Sequence, residues 1–308
     1  MLLALTAQAQ QTYPGRPIRF IVPLAAGGGM DTVTRALALR LSEQLGQSLV
    51  VDNRGGGGGS VGADLAMQSA PDGHTIIMMS ATAVIHPLMY RSRYELQRDF
   101  IPVSQVTTQP YVLVVHPAVP AKSVQELVAY AGANPGKLNY ASAGQGSLIH
   151  LASELFNIAA GIKTVHVPYK GIGAAYPDAL AGNVQMIFAS IVSAQPHVRA
   201  QRLRALGVSG AARAKTQPDL PTIAESGVKG YAVTQWYGVF APARTPRAIV
   251  DRLNREIVGA TQHPDLARRF ASDGAEAVGS SREQFAAHVK AETDKWTTVI
   301  KQTGIRGD

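Results

Sequence analysis

The chain has no cysteine among its 308 residues. That excludes disulfides, a thiolate nucleophile and cysteine-ligated zinc. It says little about compartment, because a chain of this length can bury a core that needs no staples. Long apolar runs are missing as well, with none after the N-terminus approaching the ~20 residues that span a bilayer. Aromatics make up only 6%, and the 29 Lys and Arg set against 21 Asp and Glu are scattered. A nucleic-acid binder would show a basic stripe interleaved with aromatics, so that partner is not expected. The densest basic group, Arg199, Arg202, Arg204, Arg213 and Lys215, reads as a solvated face, while the net charge of +8 favours the approach of small anions.

Catalytic and cofactor signatures are equally sparse. Gly55 to Gly59 runs into Ser60-Val61, without the lysine a phosphate loop requires, and GQGSLI at Gly144 lacks the third glycine and the acidic ribose partner of a dinucleotide fold. His86, His116, His150, His166 and His197 show no i, i+4 zinc pairing, no G-x-S-x-G elbow marks a serine nucleophile, and no paired carboxylates stand ready for acid and base work. No metal, cofactor or catalytic residue is therefore expected.

What the chain does have is a regular alternation. Apolar runs (IRFIV, SLVVD, HTIIMMS, YVLVVH) alternate with helical patterns at Val33 to Leu45, Val61 to Gln68 and Val124 to Ala133, the mark of α/β sheets flanked by helices. The pattern resumes with LNYAS, a helix over Ser147 to Ala160, TVHVPY, a helix over Ala174 to Leu180, VQMIF, a helix from Ser193 and LRALGVS. Two strands ending in proline-rich corners, HPAVP and WYGVFAPARTP, read as crossings between two lobes, and core packing is the expectation for Trp236 and Tyr237. Arg247 to Thr261 and Arg282 to Thr303 are long amphipathic helices expected to return to the first lobe. The expected division is 13–114 with 240–308 for the first lobe and 115–239 for the second. At the N-terminus, MLLALTAQAQ resembles the end of an export signal with a small-x-small site at Ala7-Gln8-Ala9, so residues 1–9 are read as its remnant and the product as exported.

Two segments carry the functional signal. FIVPLAAGGGMD passes from strand to Gly27, Gly28 and Gly29 to helix start, and ASAGQGSLIHL repeats the device with Gly144, Gly146 and Ser147. Helix N-termini carry unpaired N–H groups and a positive partial charge, and glycine lets a ligand approach the main chain, so each is an anion-type loop. Two of them on separate segments point to a small anion held between lobes. Asp31 either favours the first helical turn or fixes waters that bridge to the ligand. His86 and His150 each stand beside a candidate loop.

YPGRPIRFIVPLAAGGGMD, VVDNRGGGGGSVGADLAMQSAPDGHTI, YASAGQGSLIHLASELF, VHVPYKGIGAAYPDALAGNVQMIF, DLPTIAESGV and WYGVFAPARTP, in this order, resemble the Bug family, the TctC-like receptors of tripartite tricarboxylate transporters. The resemblance implies a two-lobed, type II periplasmic-binding-protein fold, each lobe a mixed sheet flanked by helices. It implies capture of a small carboxylate for membrane permease subunits, with no chemistry; a monomer is the simpler state for such a receptor. It places ligand contacts at Leu24, Ala25, Ala26, Gly27, Gly28 and Asp31, and at Gly144, Gly146, Ser147 and His150. The distal pocket would be lined by Ser80, Thr82 and His86, by Gly171, Ile172, Gly173 and Ala174, and by Ala189 and Ser190, on three further loops. Leu24 stands where the family commonly has an aromatic, Ala26 where proline is frequent, and Ala189-Ser190 where Asp-Asn is frequent. The missing aspartate implies a dicarboxylate or aromatic carboxylate rather than an amino acid. A receptor for a membrane signalling partner and an α/β enzyme acting on a small anion are the alternatives.

Overall fold

The computed structural model describes residues 13–307 apart from Ala25, Gly27, Lys170, Gly171 and Asp273. The expected signal remnant at 1–9 and three expected ligand positions, Ala25, Gly27 and Gly171, therefore lie outside the described residues. The first half runs β1 (Ile18–Val22), α1 (Gly29–Leu45), β2 (Leu49–Asn53), α2 (Ser60–Met67), β3 (Thr75–Ser80), α3 (Ala81–Met89), the single turn α4 (Leu96–Asp99) and β4 (Phe100–Val115). The chain continues with α5 (Val124–Ala133), β5 (Asn139–Ser142), α6 (Leu148–Ala160), β6 (Val165–Pro168), α7 (Tyr176–Ala181), β7 (Met186–Ser190), α8 (Ile191–Arg199), β8 (Arg204–Val208) and β9 (Thr234–Pro242). It ends with α9 (Arg247–Gln262), α10 (Pro264–Ser272), β10 (Glu276–Ala277) and α11 (Arg282–Thr303).

Most of this follows from the pattern of apolar residues. Val33, Leu37, Leu41 and Leu45 form the buried face of α1 at i+4 spacing, as expected. The departure is α3, where a ligand-lining loop was expected. Ser80 caps this helix by accepting the Thr82 N–H, and Pro87 sits inside it; a proline there reads as a helix stop.

The strand order is β2-β1-β3-β9-β4-β7-β5-β6, with β8 and β10 also pairing with β4. β1, β2 and β3 are parallel, as are β5, β6 and β7. β4 joins the two groups. Its first part, Phe100 to Pro110, lies antiparallel to β9, and Tyr111 to Val115 lie antiparallel to β7 and β8. The partner change at Pro110/Tyr111 falls a few residues ahead of the expected division at 114. Among the described residues β9 pairs only with β3 and β4, so its residues before 240 run with first-lobe strands. Register irregularities between Pro102 and Ser104 and between Gln105 and Thr107 add local twist to this crossing strand.

One core fills the space between the first sheet and α1, α9 and α10, and another lies under α7 and α8. The third is continuous across both lobes, linking Ile85 of α3, Phe156 of α6, Trp236 of β9 and Phe285 and Trp296 of α11. α11 was expected on the first lobe; it packs on α3 and β4 and also on α6. The cause is its buried face of Phe285, Val289, Trp296 and Val299, with Phe285 edge-on to Trp236 at 5.6 Å. Trp236 and Tyr237 are both buried, as the core reading expected.

Candidate ligand site

The strand register brings the expected loops face to face. Ser80 closes β3 opposite Tyr237, which lies opposite Thr107 of β4. Ser190 closes β7 opposite Tyr111, four residues further along the same strand. Since β7 runs against β4, the C-terminal ends of β3 and β7 point toward each other across roughly 13 Å of β4 at strand rise. β1 is parallel to β3 and β5 to β7, so the loops before α1 and α6 open on the same cleft. Ligands in open α/β sheets gather at such strand ends.

α1, α3, α6 and α8 therefore start at this cleft, and α2 and α7 follow strands parallel to β1 and β5. α3, α6 and α8 carry no acidic residue in the first turn, and neither does α9, which starts elsewhere; α7, after β6, carries Asp178, which accepts from Tyr169 OH and Asn183 Nδ2. Ser80, Ser147 and Ser190 cap their helices by accepting the N–H of Thr82, His150 and Ser193 at 3.3, 3.2 and 3.3 Å. α1 begins at Gly28 without a side-chain cap, and its one acidic first-turn residue is Asp31. That carboxylate is 5% exposed. Its Oδ2 accepts from Arg35 Nε at 3.0 Å and its Oδ1 from Asn53 Nδ2 at 3.0 Å, and Asn53 Nδ2 also donates to Leu24 O at 3.2 Å. Asp31 thus fixes the first loop through Asn53 rather than presenting a bare charge to the cleft. Leu24 is 41% exposed and Ala26 is exposed too.

A small pocket opens between this loop and α3. Leu24, Ser80 and Thr82 line it together, and so do Pro23, Gly58, Gly59 and Tyr94, which sequence reasoning did not place in the site. The run of glycines before Ser60 was a signal for the first pair; Tyr94 had none. Every residue lining the pocket is uncharged. His86 is not among them. It stacks on Tyr90 at 4.9 Å behind Gly58, whose φ of +63° and missing Cβ, which would stand 2.7 Å from His86 Cδ2, let the two meet. Burial lowers the His86 pKa, and its contact with the Gly57 backbone partly opposes that.

In the second lobe the geometry alters the expected roles. The Gly144 N–H donates to Ser142 Oγ, the Gly146 N–H to His150 Nδ1 and the Ser147 N–H to Gly144 O. These amides are spent inside the loop. The first amides of α6, from Leu148 and Ile149, have no partner within the helix by construction and face the cleft end. Gly146 also touches the first lobe, since a Cβ there would stand 2.9 Å from Met89 Sδ. His150 is 3% exposed and Ala189 fully buried in the sheet opposite Val112, so neither side chain presents a surface to the cleft in this conformation. Ser190 is half-buried, its Oγ 2.8 Å from Ser193 Oγ, which accepts from Tyr176 OH at 2.8 Å. Ile172, Gly173 and Ala174 form a short 3-10 turn at the end of β6, where a helix was expected only from Ala174. Among the described residues, no three His, Asp or Glu side chains are grouped to hold a metal ion.

The sequence matches the family described as the tripartite tricarboxylate transporter family receptor over residues 33–305. The chain belongs to this family. It is 37% identical to protein BugT of Bordetella pertussis over 298 residues, covering 96% of this chain and 91% of BugT. An R. palustris protein with adipate is 35% identical, covers 96% of this chain and 99% of its own, and superposes with a TM-score of 0.80. MatC from Rhodopseudomonas palustris with bound malate is 32% identical, with a TM-score of 0.75 over 94% of this chain and all of its own. This is a family of periplasmic solute-binding receptors, and its fold is the two-lobed α/β arrangement described above. Among the described residues no helix is long and apolar enough to cross a membrane.

Proposed function

We propose that this receptor captures a small carboxylate in the periplasm, between its two lobes, and hands it to the permease subunits of a tripartite tricarboxylate transporter. The observation that carries this reading is the convergence on the cleft of the N-termini of α1, α3, α6 and α8, whose one acidic first-turn residue, Asp31, is paired with Arg35. Backbone dipoles there stabilise an anion without a counter-cation. The first amides of α1 and α6 and the Ser147 hydroxyl would grip one carboxylate, and Leu24, Thr82, Tyr94 and Ser190 would surround the rest of the ligand. The R. palustris neighbours with adipate and malate support a carboxylate ligand.

The uncharged lining of the pocket leaves nothing to receive an ammonium group, so the ligand is a dicarboxylate or an aromatic carboxylate rather than an amino acid. Titration calorimetry with adipate, malate, benzoate, aspartate and glutamate, on protein unfolded and refolded to strip any bound ligand, tests this. Binding of an uncharged-tail carboxylate more tightly than either amino acid is expected. Preference for aspartate or glutamate would overturn the ligand class, and binding of none would overturn the carboxylate reading.

A further inference from the structure

We infer that His150 is a positioning residue whose Nδ1 holds the Gly146 amide and thereby sets the loop 143–147 in the shape that presents α6 and Ser147 to the carboxylate. The inference rests on the carboxylate reading above and adds a residue that grips the loop rather than the ligand.

Three rings stand in a column beneath this loop. Tyr140 of β5 and His166 of β6 are register partners with ring centroids 5.0 Å apart, and His150 of α6 lies on His166 at 3.8 Å and nearly parallel. Each imidazole holds one glycine. His150 Nδ1 accepts the Gly146 N–H at 3.1 Å, while His166 Nε2 is 2.6 Å from Ser142 Oγ, which accepts the Gly144 N–H at 3.1 Å. The column is anchored at its far end, where Tyr140 OH donates to Glu154 Oε1 at 2.5 Å. Accepting from Gly146 requires an unprotonated Nδ1, so the proton of His150 is on Nε2. Burial, and then the adjacent His166, keep the ring neutral, consistent with that role.

Gly144 and Gly146 have φ of +121° and +69°, conformations that need external fixing because glycine can leave them freely. Losing the acceptor releases the Gly146 amide and lets the loop sample shapes that misplace Ser147. A role in packing alone makes a different prediction, because it depends on the ring and not on the acceptor.

Two substitutions in the full chain separate these roles. His150→Phe keeps a ring on His166 and removes the acceptor; His150→Asn removes the ring and keeps an oxygen close to the position of Nδ1. With adipate as the probe in calorimetry, H150F should weaken binding about five- to tenfold, the scale of one hydrogen bond, and H150N should stay within about threefold of wild type. Equal binding by H150F and wild type, or weaker binding by H150N than by H150F, would overturn the inference while leaving carboxylate binding intact. The Gly146 amide proton shift, read by NMR without ligand, tests the inference even if adipate fails to bind. A shift that moves in H150F and is largely retained in H150N supports it, and one that moves in neither overturns it.

Discussion

Replacing Glu292 with leucine should destabilise the protein by about 3–5 kcal/mol, the scale for removing one partner of a buried charged pair. The Glu292 side chain is only 5% exposed. Its Oε2 accepts from Trp236 Nε1 at 3.2 Å and from Trp296 Nε1 at 3.0 Å, and its Oε1 pairs with Lys295, which also donates to Ala232 O at 3.2 Å. Leucine leaves two buried indole donors unmet, at about 1–3 kcal/mol each, partly offset by no longer burying a carboxylate. The Lys295 side chain, 27% exposed, can recover some water. Glu292→Gln keeps an oxygen for the indoles and loses only the charge facing Lys295, so it should cost about 1–2 kcal/mol. Trp236 lies on β9 and Ala232 just before it, so this cluster ties α11 to the chain where it returns from the second lobe. The protein has 2 tryptophans, and both are in the cluster, so urea unfolding followed by tryptophan emission reports on it directly. The double variant E292L/K295M should recover part of the loss by removing the unpaired ammonium. A leucine variant within about 0.5 kcal/mol of wild type, the spread of ordinary surface substitutions, would refute the reasoning.

Stability should fall between neutral pH and pH 4.5 through the buried imidazoles. His150 is lowered from 6.5 to about 4 by burial and then by His166, so the unfolded chain binds the extra proton in that window and the stability is present above it. About 2–3 kcal/mol is at stake, measured as the wild-type minus H150N difference in urea midpoint at pH 7.5 and 4.5; a difference independent of pH contradicts the assignment. Asp31→Asn should lower stability by about 1 kcal/mol, because Arg35 is half exposed, and leave carboxylate affinity unchanged, since both carboxylate oxygens already bind protein groups. A marked loss of affinity in that variant would instead support the water-bridging role. Gly58→Ala forces a positive φ on alanine and a Cβ against His86, so its melting temperature should drop by several degrees, about 1–3 kcal/mol.

The fold was legible wherever apolar periodicity was strong. The helices at Val124–Ala133 and Arg282–Thr303 occur with the expected ends, and the strand-turn-helix units carrying Leu24 and Ser147 are where their glycines suggested. Periodicity failed at α3, where Pro87 mimics a stop, and at β10, whose two residues show no period; the nine-residue α10 was not read. Site membership was harder to read than site location. Nothing in the order of residues says that the Gly146 amide is taken by His150, that Ala189 faces the core, or that Gly58 and Tyr94 meet Leu24 at one pocket. Those facts depend on register and side-chain direction, which a single sequence leaves open. α11 bridging both lobes is a similar case, since its apolar face was evident and its partners were not.

The most direct test of the account is a crystal structure of the chain with whichever carboxylate binds it most tightly. The account predicts one carboxylate group within hydrogen-bond reach of the first amides of α1 and α6, with the rest of the ligand against Leu24, Thr82 and Tyr94. A ligand bound away from these helix starts, for example in the groove between α1 and α10 lined by Leu39 and Arg40, would contradict it.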